Sequence, residues 1–166
     1  MNWYVLFTLS QKTKRIVNNL NRRKELEAFI PVYEEVCNRD TLEVQLKSMF
    51  DNYIFVKTTL NQGDFNDLLL SMKDDNDGLI KQLKNVDTSA LSDDEISFFN
   101  NILDHNSIAR LSHGYKENGR TVVTDGPLVH YQDHIIRVNT HNYTAYLDLT
   151  FFDRKIKLGI VITCKK

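Results

Sequence analysis

Phe50-Asp51-Asn52-Tyr53-Ile54-Phe55-Val56 is the stretch on which the fold turns. Tyr53 to Val56 is an uninterrupted apolar run of aromatic and β-branched residues, the composition of a strand buried on both faces. Asp51-Asn52 before it is a polar turn. Asn is the non-glycine residue that best tolerates left-handed backbone, so a turn is compatible with Asn at this place. The segment therefore enters a central strand from a turn, with Phe50 beside it.

Outward from this strand the pattern alternates. Trp3 to Leu9 (WYVLFTL) is a second mostly buried strand. From Lys12 to Lys24 the apolar Ile16, Val17 and Leu20 share one helical face, and Lys12, Lys14, Arg15, Arg22, Arg23 and Lys24 cover the remainder. Pro31 makes Phe29 to Val32 extended. Val32–Val36 and Thr41–Leu46 flank Asn38-Arg39-Asp40, the chemistry of a hairpin tip. Beyond Val56, Phe65, Leu68, Leu69 and Met72 form a helical core stripe, Leu79 to Val86 a short strand, and Ser92-Asp93-Asp94-Glu95 a capping box opening a helix through Leu103.

After a stretch without periodicity, His105 to Asn118, a different pattern sets in. Arg120–Val123, Ile135–Val138, Thr144–Leu149, Arg154–Leu158 and Ile160–Thr163 are five short β-type runs, with a turn at Asp125-Gly126-Pro127. Such runs at even spacing suit a small barrel. The fold class expected is α+β followed by that barrel.

Composition bounds the function. The chain has 166 residues, 42% hydrophobic and 26% charged, which fits a globular protein. No run approaches the roughly 18 apolar residues that span a bilayer, and the N-terminus carries no basic segment followed by an apolar one, so a cytoplasmic protein without membrane contact is expected. Cys37 and Cys164 show no CxxC and no metal-ligand spacing; both read as reduced structural thiols, with no metal and no cofactor implied. Residues 1–109 hold 12 Lys+Arg against 17 Asp+Glu, net −5, and residues 110–166 hold 9 against 5, net +4. That asymmetry points to a nucleic-acid-facing C-terminal part or a solvated basic surface. Catalysis finds no support: there is no phosphate-cradling glycine loop, no nucleophile elbow and no HExxH, and adjacent Asp133 and His134 would diverge in a strand.

Three patterns occur in one order: Trp3-Tyr4-Val5, then Phe50 to Val56, then Val123-Thr124-Asp125-Gly126-Pro127-Leu128. Together they resemble the NusG family, over nearly the whole chain. The resemblance implies a NusG-type N-terminal domain over 1–106, an antiparallel sheet with flanking helices, then a linker over 107–114 and a KOW β-barrel over 115–166. Asp51-Asn52 stands where the common pattern has Pro-Gly, and the barrel's usual glycine is replaced near Asp133 and His134. These departures resemble a specialised paralogue of the LoaP antiterminator type.

For such a protein the resemblance implies a monomeric elongation and antitermination factor that promotes read-through of pauses or terminators. Its partners would be the RNA polymerase clamp helices, gripped through Phe7, Phe50, Tyr53 and Phe55, and a nascent RNA hairpin held by the barrel. Phe7 and Phe55, in strands apolar on both faces, serve equally as core, whereas Phe50 and Tyr53, beside a polar turn, favour docking. The basic helix would lie near upstream DNA, and the Asn38–Thr41 tip near the opposite channel wall or the non-template strand; solvated surface is the plainer reading of both. RNA contact would fall to Lys116, Arg120, His130, His134, Arg137, Arg154, Lys155 and Lys157. The alternative is a general NusG-like pausing or termination factor whose barrel holds a protein through Phe151, Phe152, Ile156 and Ile160.

Overall fold

A computed structural model describes residues 1–85 and 88–163. Val86, the expected end of a strand, and Cys164 lie outside the described residues. The chain divides into two compact units, Met1–Ile30 with Phe50–Phe98, and Pro31–Met49 with Phe99 onward.

The first unit is a four-stranded antiparallel sheet in the order β2-β5-β1-β6, formed by β1 (Asn2–Thr8), β2 (Leu26–Phe29), β5 (Tyr53–Thr58) and β6 (Leu79–Leu83). α1 (Thr13–Leu20) and α2 (Gln62–Ser71) supply its helices. Alternation along the strands sends Tyr4, Leu6, Ile54 and Val56 into one core with Ile16, Leu20, Phe65 and Met72. Full burial of side chains of this size stabilises by roughly 1.5–3 kcal/mol each.

The basic helix is shorter than its expected Lys12–Lys24 span. Asn21 ends it: its side chain donates to the Ala28 carbonyl at 2.9 Å and accepts from the Ala28 amide at 2.7 Å, which turns the chain into β2. Periodicity could not show this, because the reversal depends on one side chain meeting backbone seven residues away. The helix α3 (Asp93–Ile102) begins with the expected capping box. The Ser92 hydroxyl accepts from the Glu95 amide at 3.2 Å, and Glu95 accepts from the Ser92 amide at 3.0 Å.

The second unit contains two sheets. One has the order β4-β3-β7, from β3 (Val32–Asn38), β4 (Glu43–Ser48) and β7 (Ile108–Ala109). The expected hairpin is present: Asn38 Oδ1 accepts from the amides of Asp40 and Thr41 at its tip. Cys37 is exposed on it rather than packed inside. The other sheet, β10-β11-β12-β8-β9, is mixed: β8 (Ser112–Glu117), β9 (Arg120–Asp125), β10 (Ile135–Asn139), β11 (Thr144–Phe151) and β12 (Arg154–Thr163), with β8 parallel to β12 and the other pairs antiparallel.

Two expectations about this unit change. The 107–114 segment is not an unstructured connection, because it carries β7 and the start of β8. Apart from Ile108 its residues are not strong strand formers, and pairing with β3, β9 and β12 overrides their local preference. The runs expected at 154–158 and 160–163 form one strand, since Gly159 stays within the β12 ladder. The hairpin over Pro31–Met49 also groups with the C-terminal strands rather than with the segment preceding it.

At the Asp125-Gly126-Pro127 turn, Gly126 has φ 91°, and a β-carbon there would collide with Ser112. The Ser112 hydroxyl is consequently close enough to accept from the buried Leu128 amide at 3.1 Å. The sheet core follows from alternation on the same strands: Ala145, Leu147, Ile156, Leu158 and Ile160 are buried.

Candidate functional site

The first unit's sheet has a second face, opposite the one that packs on α1 and α2. Trp3, Val5 and Phe7 alternate onto it from β1, and their register partners Lys57, Phe55 and Tyr53 do so from β5. Phe29 enters beside Phe55 from β2. Six rings form a connected series. Phe29 meets Trp3 edge-on at 5.7 Å and Phe55 at 5.5 Å; Phe50 lies parallel to Phe55 at 6.2 Å and near-parallel to Tyr53 at 5.6 Å; Phe7 meets Tyr53 edge-on at 6.0 Å. The Lys57 ammonium stands over Trp3 at 4.7 Å and over Phe29 at 5.0 Å, closing one end with a cation–π contact.

The four aromatic residues singled out by sequence are thus together on one face. Their exposure differs from expectation. Phe50 and Tyr53 are 2% and 4% exposed, as withdrawn as Phe55 at 0%. Phe7 is the half-buried member. Asn52, with φ 70°, reverses the chain between Phe50 and Tyr53, and the Phe50 ring lies parallel to Phe55 and near-parallel to Tyr53. Trp3, Phe29 and Lys57 were missed, although Trp3 and Phe7 share strand parity, which was signal enough for Trp3.

The basic candidates divide. Lys116, Arg120 and Arg137 line one depression of about 510 Å³ together with Gln132 and Asp133. Its opposite sides are the two edge strands, β9 and β10, so the five-stranded sheet curls until its edges face each other. Lys157 lines a second depression of about 430 Å³. His130, His134, Arg154 and Lys155 line neither. His134 instead pairs through Nδ1 with Asp148 at 2.9 Å, while its neighbour Asp133 faces the first depression from a 3-10 segment rather than a strand. Of the residues considered for a protein partner, Phe151, Ile156 and Ile160 are buried and Phe152 is half-buried.

An ionic cluster fixes β7 and the start of β8 next to the hairpin. Arg110 donates to Asp104 at 2.7 Å and to Glu34 at 3.4 Å, and Glu34 also accepts from the Leu111 amide at 2.8 Å. Burial pushes the Asp104 carboxyl up, but Arg110 and the amides of Ile108 and Asn106 outweigh it and hold the carboxyl below its ordinary value. Among the described residues no group of His, Cys, Asp and Glu has the geometry of a metal site, and no helix is long and apolar enough to cross a membrane.

A helix-backed antiparallel sheet with an aromatic reverse face, followed by a small curled sheet bearing cations, defines a two-unit α+β protein. A family profile described as "Transcription termination factor nusG" matches residues 1–99, so the chain belongs to the NusG family of transcription factors. Among solved structures, one titled "Domain interaction in Thermotoga maritima NusG" is similar with a TM-score of 0.53 and 14% sequence identity, covering 96% of this chain and 93% of that one. At that identity the likeness concerns the fold. No curated protein matches the chain.

Proposed function

We propose that this chain is a transcription elongation and antitermination factor that docks on the clamp helices of RNA polymerase and promotes read-through of pauses or terminators. The observation that carries the reading is the series of six rings on the sheet face opposite the helices. A protruding apolar helix tip buried against aromatic rings gains about 25 cal/mol per Å², and individual anchors of this kind contribute on the order of 2 kcal/mol. Because Phe50, Tyr53 and Phe55 are withdrawn from solvent, docking is coupled to a change that makes this face accessible, with half-buried Phe7 engaged first. A factor so bound favours the closed, elongating state of the enzyme and catalyses nothing itself.

The C-terminal strands serve in this reading as a KOW-type barrel that takes a nascent RNA hairpin, which restricts the factor to particular operons in the manner of the LoaP type. Two observations support it: the cations gathered around Arg137, and the burial of Phe151, Ile156 and Ile160, which withdraws three of the four residues considered for a protein partner. The basic α1 face and the hairpin tip face upstream DNA and the non-template strand in the same scheme.

The test is co-purification of RNA polymerase with the full chain. Phe7→Ala and Tyr53→Ala, each checked for folding by circular dichroism, should lose the polymerase. Retention by folded variants would overturn the aromatic face as the docking site.

A further inference from the structure

The outer surface of the five-stranded sheet has a wall built along it. In β12, Gly159 leaves room for the backbone carbonyl of Glu34, which occupies the place of a β-carbon. β3 therefore crosses the sheet in direct contact, and the hairpin beyond Glu34 runs beside the strands. The space between is the depression of about 430 Å³. The hairpin contributes Arg39 and Lys47 to it, and the sheet side contributes His141, Tyr146 and Lys157.

Charge in this space favours a polyanion. Glu35 is the one carboxylate among its described lining residues, and it is held by Lys47 at 3.0 Å and by the Tyr33 hydroxyl at 3.0 Å. Among the described residues no carboxylate pairs with Arg39 or Lys157. Strand register adds an aromatic element. Arg137, Tyr146 and Lys157 are successive cross-strand partners on β10, β11 and β12, and so project from the same face. The Arg137 guanidinium lies over the Tyr146 ring at 4.1 Å. That stack links the walled depression to the neighbouring one, where Arg137 stands with Lys116 and Arg120.

Cations on either side of a planar stacking platform meet the two needs of an unpaired nucleic-acid strand, neutralised phosphates and a partner for a base. A depression of this size, closed on one side by the hairpin, has room for a nucleotide. We propose that the hairpin-walled outer face of the sheet is a binding track for a single strand of RNA, with phosphates on Arg39 and Lys157 and a base on the Arg137–Tyr146 stack. This rests on the RNA reading given above, the strand held being the unpaired loop of the RNA hairpin, and assigns that contact to a place the basic residues alone did not mark, since Arg39, Lys47 and Tyr146 enter it from elsewhere in the sequence.

The experiment is fluorescence anisotropy of the full chain with a labelled single-stranded RNA of about 12 nucleotides, with the matching DNA strand and an RNA duplex as separate probes. Tyr146→Ala should weaken RNA binding roughly 10-fold or more, and Tyr146→Phe should restore it. Arg39→Ala and Lys157→Ala, exposed changes that leave the core intact, should each lower the slope of log affinity against log salt by about 0.7. Lys73→Ala, outside the track, should match the unaltered protein. If that protein binds RNA while the Arg39 and Lys157 variants keep its slope, the track is overturned and the broader RNA reading stands. If it binds neither the RNA strand nor the RNA duplex, both readings fall; a preference for the DNA strand or the duplex overturns single-stranded RNA as the occupant of the track.

Discussion

Glu34 presents its backbone carbonyl to the α-carbon of Gly159, filling the space where any other residue would carry a β-carbon. This contact places the β3–β4 hairpin on the C-terminal strands, and it has a direct consequence. Gly159→Ala forces two backbones apart, and neither can yield by rotating a side chain. Overpacking of this kind costs about 1–3 kcal/mol. Urea unfolding should show a loss in that range, and the hairpin amides of residues 34–36 should exchange faster with solvent.

Asn52 offers the opposite case. Its φ of 70° is left-handed backbone, in which a β-carbon is unfavourable by roughly 1–2 kcal/mol for ordinary residues. Asn52→Gly should be neutral or slightly stabilising. Asn52→Val should lose about that amount or more in thermal or urea unfolding, and should disturb the Phe50–Tyr53 stack that the reversal creates.

The Arg110–Asp104 pair predicts a pH dependence. Asp104 has a folded pKa below its ordinary value of 3.8, so its contribution to stability is present above that value and is lost as pH falls through the lowered one. Arg110→Gln removes the principal partner and lets the carboxyl return toward its ordinary range. Urea titrations should therefore find the variant less stable near neutrality, with the gap closing as the pH drops below 3.8. A gap constant across that window would show that the pair contributes no linked proton.

Read-through itself should separate the two surfaces. In a purified transcription assay with a terminator placed after the target leader, Phe7→Ala should abolish stimulation on every template, because polymerase contact is lost. Lys157→Ala should leave polymerase co-purification intact and reduce stimulation only where RNA recruits the factor. Equal loss by both variants on all templates would contradict this division of labour.

Much of the architecture is legible in local sequence. Aromatic and β-branched runs mark β1 and β5, the stripe from Phe65 to Met72 marks α2, Ser92 and Glu95 mark the start of α3, and Asn38 to Asp40 mark a hairpin tip. Each is decided by residues within a few positions of one another, and alternation alone puts Tyr53 and Phe55 on a common face, which Phe7 joins through the register of β1 on β5. Tertiary structure decided what distant residues settle together. Asn21 ends α1 by bonding Ala28; Ser112 to Glu117 becomes a strand because β12 and β9 lie on either side of it; Phe50 is buried with its ring parallel to Phe55 rather than exposed beside the turn. The meeting of Arg39 and Lys47 with Tyr146 and Lys157 belongs to the same class. It depends on a missing side chain at Gly159 and on the packing of β3 against β12, segments more than a hundred residues apart, a relation that no local propensity or periodicity encodes.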